Sequence, residues 1–98
     1  MSRIVRFRDE VWIELRDAVL WYEEREPGLG ADFIRAFEAI VANLERNPMI
    51  YPVVYKTARR AVMRRFPYHV IHAVTDDEIV IVTVIHSHRH PRRWKSRV

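Results

Sequence analysis

The C-terminal part of the chain concentrates the side chains that could do chemistry. All five histidines follow residue 68, and three of them alternate between His86 and His90. Cleavage of RNA by its own 2′-hydroxyl needs a base, cations for the charge at phosphorus and an acid for the leaving oxygen. The basic half has no carboxylate outside residues 76–78, so only histidine could titrate usefully there near neutral pH. For a nuclease, the predicted catalytic residues are Arg65, His86, His88 and Arg89.

The same histidines could form a metal site. A strand through His86, His88 and His90 would place three imidazoles on one face, an array that can bind a metal ion. Pro91 and the neighbouring arginines weigh against this, because fixed positive charge opposes a dication. We therefore predict no metal. We also predict no cofactor, since the chain contains no P-loop, G-x-G-x-x-G, H-E-x-x-H or G-x-S-x-G motif.

Arginine dominates the second half of the chain and suggests a binding surface. Residues 56–98 hold ten Lys or Arg and three Asp or Glu, whereas residues 1–55 hold seven and ten. The guanidinium fork favours phosphate or carboxylate recognition, so this half is expected to face an anionic partner. A solvated strand edge with a frayed tail is the alternative. The predicted target-binding residues are Arg64, Arg65, Arg89, Arg92, Arg93 and Trp94.

Length and composition predict one folded domain over residues 1–98. The chain has 98 residues, 49% of them hydrophobic, which is enough for a core. It has no cysteine, which excludes disulfides and thiolate metal sites. No apolar run approaches the roughly 20 residues that span a bilayer, and the start lacks the apolar region of a secretion signal. We expect a cytoplasmic protein with no membrane partner.

Hydrophobic periodicity predicts two helices near the start of the chain. A short strand is expected over Arg3–Phe7, followed by a helix from an N-cap at Asp9 to about Arg25. A second helix is expected to be capped by Asp32 and to end at Asn47-Pro48. Because the two helices are similar in length and joined by a short turn, they should form an antiparallel hairpin.

The remainder of the chain predicts strands. A connector over residues 49–57 can hold a short edge strand, and two strands are expected over Ala61–Arg65 and Pro67–Val74. Residues Ile79–Ile85 show no alternation, which indicates a central strand buried on both faces. One face should meet the helices. The other needs a cover, either the chain's own tail with Trp94 or a protein partner. The expected core residues include Phe33, Phe37, Leu44, Ile81 and Val84.

Five segments, in this order and spacing, carry a family resemblance. They are Glu26-Pro27-Gly28-Leu29-Gly30 with Asp32-Phe33, Asn47-Pro48 with Tyr51-Pro52, Arg64-Arg65-Phe66-Pro67-Tyr68, Val84-Ile85-His86-Ser87-His88-Arg89, and Pro91 with Arg93-Trp94. Together they resemble the ParE/RelE superfamily of toxins from bacterial type II toxin–antitoxin modules. The resemblance runs from about Val5 to Arg97.

The resemblance implies a fold and a set of partners. The implied fold is α+β, with an N-terminal helical hairpin packed on a small antiparallel sheet. A cognate antitoxin is implied, whose C-terminal segment orders on the toxin and neutralises it. Any contact with nucleic acid would come through the target or the antitoxin complex.

The resemblance also separates two modes of toxicity. One branch of the superfamily poisons DNA gyrase, and another cuts mRNA on the ribosome. The cutting branch tends to carry Arg where this chain has His69 and a tyrosine near the C-terminus, whereas no tyrosine follows Tyr68 here. The resemblance therefore favours a ParE-like toxin that inhibits gyrase by binding and is not an enzyme. The alternatives are a ribosome-dependent mRNA endonuclease and an inactive relative that acts only as a co-repressor with its antitoxin.

Overall fold

The computed structural model describes residues 3–98, which form a five-stranded sheet and three helices. In chain order the elements are β1 (Ile4–Phe7), α1 (Asp9–Arg25), α2 (Leu29–Arg46), β2 (Val53–Tyr55), β3 (Ala58–Val62), β4 (Tyr68–Val74), β5 (Glu78–His86) and α3 (Arg92–Lys95). The strand order is β1-β5-β4-β3-β2, and every neighbouring pair is antiparallel except β1 with β5. No helix within residues 3–98 is long and apolar enough to cross a membrane.

The α+β class is confirmed, but the implied arrangement needs two corrections. The helical hairpin is not the first element, because the predicted strand β1 precedes it. The sheet is not wholly antiparallel, because β1 runs parallel to β5, with Val5 opposite Ile79. These two strands are separated by most of the chain, so no tight turn fixes their relative direction. Val5 and Phe7 pack on the core while Ile4 and Arg6 are exposed, as the alternation predicted.

Both predicted helix caps are wrong. Arg8 is the N-cap of α1, and Asp9 is the first helical residue. The second helix begins at Leu29, so Asp32 lies in its first turn instead of at its cap. The N-cap position is taken by Gly28, whose φ of 91° lies in the left-handed region that glycine tolerates best.

The first turn of α2 is capped by a side chain from α1. One carboxylate oxygen of Glu23 accepts the Gly28 N–H, and the other accepts the Gly30 N–H, each at 3.0 Å. A Cβ on Gly30 would lie 2.9 Å from the backbone oxygen of Val19, so α1 and α2 approach closely here. This cap replaces the local one expected from sequence, because Glu23 reaches across the turn between the helices.

The predicted core is confirmed. Phe33, Phe37, Leu44, Ile81 and Val84 are all buried in one cluster between the helical hairpin and the sheet. The expected edge strand is present as β2. The expected strand over Ala61–Arg65 is displaced, because β3 already ends at Val62. Arg65 adopts a φ of 70° in the bend that follows, a conformation that cannot continue a strand.

Strand β5 is buried on both faces, as its unbroken apolar sequence predicted. Ile79 and Ile81 pack in the helix-facing core, whereas Val82 belongs to a second cluster on the opposite face. Trp94 from α3 completes this second cluster and is only 6% exposed. The chain's own tail therefore supplies the cover that this face needed.

Candidate functional site

A groove lies between α1 and the end of β5, with a volume of about 520 Å³. We call it the basic groove, because it carries two arginines from the C-terminal segment. Its walls include Asp17 and Trp21 from α1, Tyr68 from β4, His86 from β5, and Arg89 and Arg93. The sequence predicted the arginines, but the wall contributed by α1 was missed.

The groove exists because β5 extends beyond the end of its neighbour β1. Strand β1 ends at Phe7, which pairs with Ile81, and the Arg8 N–H donates to the Ile81 carbonyl. The next part of β5 therefore has no strand beside it on that side, and α1 occupies the space. Side chains of α1 and of the C-terminal tail satisfy the edge instead.

Glu14 and Arg97 close this strand edge. The Glu14 carboxylate accepts the Val84 N–H at 3.2 Å and the Thr83 hydroxyl at 2.9 Å. Nη1 of Arg97 donates to the same carboxylate and to the Val82 carbonyl, both at 3.1 Å. Charged side chains that occupy a strand edge in this way block pairing with a further strand. Sequence reasoning missed it because the partners are about 70 residues apart.

Arg89, Arg92 and Arg93 present exposed cations near the groove. All three side chains are exposed, and none forms an ion pair in the part of the chain that the structure describes. Their backbone is ordered by hydrogen bonds, since the Arg89 N–H donates to the His86 carbonyl at 2.9 Å and the Arg93 N–H to the His90 carbonyl at 3.1 Å. Arg89 and Arg93 line the basic groove, and Arg92 begins α3.

The other predicted target-binding residues lie elsewhere. Arg64 and Arg65 are exposed in the bend between β3 and β4, and neither lines the basic groove. Nη1 of Arg65 lies 3.2 Å from an Asp32 carboxylate oxygen on α2, so Arg65 helps hold the bend against that helix. The hydrogen bond from Arg35, together with the one from Arg65, holds the pKa of Asp32 below its usual range. Trp94 is buried on the sheet, where its ring lies edge-on to Tyr55.

The predicted nuclease residues are only partly brought together. His86 and Arg89 line the basic groove, and the His88 ring lies 5.2 Å from that of His86. Arg65 is bound to Asp32 and does not line the groove. The residues predicted for catalysis therefore do not converge on one pocket.

The histidines of the C-terminal segment support backbone turns. Nδ1 of His86 accepts the His88 N–H, and Nδ1 of His90 accepts the Arg92 N–H, both at 3.1 Å. A neutral imidazole that accepts through Nδ1 carries its proton on Nε2. Nε2 of each ring is then a donor, so neither neutral ring offers a free acceptor to remove a proton from a substrate.

Tyr68 and His69 are held in their uncharged forms. Burial raises the pKa of Tyr68, and only the nearby Arg89 cation opposes this. Burial lowers the pKa of His69, and the Arg60 cation acts in the same direction. A protonated phenol can donate a hydrogen bond, and a neutral imidazole can donate through one ring nitrogen and accept through the other.

The groove carries charges of both signs. Arg89 and Arg93 stand on one side, whereas Glu14, paired with Arg97, and Asp17, paired with Arg16, stand on the α1 side. A protein segment that also carries both signs of charge can complement such a surface. Across residues 3–98, no group of three or more His, Cys, Asp or Glu side chains is arranged to hold a metal ion.

Comparisons with known proteins agree with this architecture. A family model described as the ParE toxin of the type II toxin–antitoxin system, parDE, matches residues 5–91. A solved structure titled "Chromosomal ParDE TA system from P. aeruginosa" is similar, with a TM-score of 0.75 and 15% sequence identity over 86% of this chain and 95% of that chain. At that identity the likeness shows a shared fold. A search of the curated proteins found no match.

Proposed function

Because the chain belongs to the ParE toxin family of type II toxin–antitoxin systems, we propose that it inhibits growth by binding DNA gyrase and is neutralised by a cognate antitoxin. The cytoplasm is the proposed site of action, since gyrase works there. The proposed mechanism needs no cofactor. The observation that carries it is the set of exposed arginines at the basic groove that have no ion-pair partner within residues 3–98.

The proposed contact surface is built from the C-terminal segment. Arg89 and Arg93 offer guanidinium forks at the groove, and Arg92 extends the same surface along α3. Charge-assisted hydrogen bonds from arginine to carboxylates are among the stronger contacts at interfaces, at about 1.5–3 kcal/mol each. Trp94 acts indirectly in this proposal, because it packs α3 against the sheet and so fixes the arginines.

Arg64 and Arg65 form a second, separate arm of the proposed surface. Arg64 is exposed in the bend after β3, and Arg65 shares the Asp32 carboxylate with Arg35. Since Asp32 also contacts Arg35, it could keep one partner while Arg65 contacts the target. A target that engages both arms would have to present acidic groups to two places on the toxin.

Binding is favoured over RNA cleavage by the hydrogen bonds of the histidines. A nuclease would need one group that accepts a proton and another that donates one near the same phosphate. Nδ1 of His86 already accepts a backbone N–H, and Arg65 is bound to Asp32 away from the groove. Two of the four residues predicted for cleavage are therefore engaged elsewhere.

The proposed antitoxin carries an acidic segment that orders on the toxin. A disordered segment that folds on binding can wrap a large surface and bring its own carboxylates to the arginines. The adjacent reading frame should encode this protein, together with a DNA-binding region. Co-expression of that protein should restore growth.

Three assays on the wild-type chain test this proposal. Induction should arrest growth, purified chain should inhibit supercoiling by gyrase, and mRNA should remain intact on ribosomes. Ribosome-dependent cleavage without any effect on gyrase would replace the proposal with the endonuclease. Normal growth on induction would instead identify an inactive co-repressor.

A further inference from the structure

The outward side of α1 carries large apolar side chains. Ile13 and Leu20 lie along its middle, opposite the buried face that includes Leu15, and are exposed by 55% and 53%. Trp12 and Trp21, exposed by 56% and 50%, lie on the two opposite flanks, because nine residues turn a helix by half a revolution. Each tryptophan already has a neighbour, since the Phe7 ring lies 4.8 Å from Trp12 and the Arg25 guanidinium lies 3.3 Å over Trp21. The middle of the outward side, with Ile13 and Leu20, is therefore the part that offers apolar surface to a partner.

The centre of this face combines apolar contacts with an ion pair. Ile13 and Leu20 are seven residues apart, so they lie two turns apart on nearly the same line along α1. Arg16 and Asp17 flank that line midway, and Nη2 of Arg16 lies 3.3 Å from Oδ1 of Asp17. Both side chains are 66% exposed, and such a pair alone stabilises a protein very little.

We propose that this face binds the same face of a second copy of the chain, with the two α1 helices parallel about a two-fold axis. Such an axis places Ile13 against Ile13 and Leu20 against Leu20, as in the core layers of a parallel helix pair. The axis also rotates the second copy by half a turn, which exchanges the sides on which its Arg16 and Asp17 lie. Each Arg16 therefore faces the second copy's Asp17, and the four charges alternate in sign around a ring.

The ion pair selects this orientation over the antiparallel one. A two-fold axis perpendicular to the helices would leave Arg16 facing the second copy's Arg16 and Asp17 facing the second copy's Asp17. Like charges at the centre of a contact oppose association. The parallel arrangement therefore brings the apolar side chains into contact and also places opposite charges against each other.

The size of the face sets the strength of the contact. A helix of 17 residues is about 25 Å long, and one of its faces is smaller than the roughly 800 Å² per partner of a standard interface. The dimer should therefore be reversible and concentration-dependent, with a dissociation constant on the order of micromolar or weaker.

Charge reversal gives a direct test by analytical ultracentrifugation. The full chain is made by cell-free synthesis, and its self-association is measured up to about 1 mM, above the expected dissociation constant. The wild type should dimerise, and Arg16→Asp and Asp17→Arg should each weaken dimerisation at least about tenfold, because each puts four like charges together. A 1:1 mixture of these two variants should form a heterodimer. The double variant should dimerise like the wild type.

Glu45→Arg, on α2 away from this face, is the matched control and should dimerise normally. Circular dichroism checks that every variant is folded. The inference is overturned if the wild type stays monomeric, if either single reversal dimerises like the wild type, or if the mixed variants do not associate. It is equally overturned if the reversals leave self-association unchanged and abolish only antitoxin binding, since the face would then belong to the antitoxin. None of these outcomes depends on gyrase.

Discussion

The Glu14 carboxylate on α1 accepts a hydrogen bond from the Thr83 hydroxyl on β5 at 2.9 Å. The same carboxylate accepts the Val84 N–H and contacts Arg97 from the tail. One side chain therefore joins the helix, the central strand and the C-terminus at the wall of the basic groove. Arg97 also contacts Glu10 and the Val82 carbonyl, whereas the Thr83 hydroxyl has no other hydrogen-bond partner within residues 3–98. The network should therefore contribute to stability as well as to the shape of the groove.

Glu14→Ala should destabilise the fold by about 1–3 kcal/mol, because the Val84 N–H and the Thr83 hydroxyl lose their acceptor in a half-buried place. Urea unfolding measures the change. Glu24→Ala on the exposed face of α1 is the matched control and should change stability by less than about 0.5 kcal/mol. Equal midpoints for the two variants would contradict the role of Glu14.

Phe37→Ala should cost about 3–5 kcal/mol, because this 5% exposed ring fills the core between α2 and the sheet. Thermal and urea unfolding check it. Val62→Ala shortens a 61% exposed side chain on β3 and should be nearly neutral. An unchanged melting temperature for Phe37→Ala would rule out the core assignment.

Stability should fall as the pH drops below about 6.5, because His72 is buried and uncharged. Its Nδ1 lies 3.2 Å from the Val70 carbonyl, while Nε2 has no partner among the described residues. Burial lowers the pKa of His72, and the charge of Arg59 on β3 opposes protonation as well. Below the unfolded value of 6.5 the unfolded chain then binds more protons than the folded chain, which favours unfolding.

Urea unfolding between pH 8 and pH 5 measures this effect. His72→Leu should flatten the pH dependence, apart from a remaining part due to His69, whose pKa is also lowered. His88→Gln alters an exposed ring and should keep the wild-type slope. The lowered pKa values of Asp32 and Glu10 matter only at more acidic pH, because carboxylates titrate there. An identical slope for wild type and His72→Leu would contradict this account.

The parts of the fold that were predicted correctly are those fixed by local pattern. The helical stripe through Phe33 and Phe37 and the unalternated strand around Ile81 both determine which surfaces must be buried. The incorrect or missing parts depend on distant partners. Glu23 caps α2 from the preceding helix, and β1 pairs with a strand more than 70 residues away. Neither relationship leaves a mark in a short window of sequence.

The candidate site was also predicted only in part, and for the same reason. Arg89 and Arg93 were predicted because the arginines cluster in one segment. The opposite wall, with Asp17 and Trp21, comes from α1 and became visible only when the sheet order brought that helix beside β5. His86 was predicted for catalysis, and the turn hydrogen bond that occupies its Nδ1 depends on backbone geometry that residue type alone does not specify.

Gyrase supercoiling measured against toxin concentration tests the central claim most directly. Three variants are compared with the wild type: Arg89→Ala with Arg93→Ala, His86→Gln with His88→Gln, and the control Arg6→Ala with Arg46→Ala, which removes the same charge away from the proposed contact residues. Circular dichroism confirms their folding, and ribosome-dependent mRNA cleavage is assayed beside them. The groove variant should need at least about tenfold more protein for half-inhibition, because two charge-assisted contacts are lost. The histidine and control variants should inhibit like the wild type. A wild-type chain that leaves gyrase unaffected, or that cleaves mRNA on ribosomes and loses this activity with the histidines, would contradict the account.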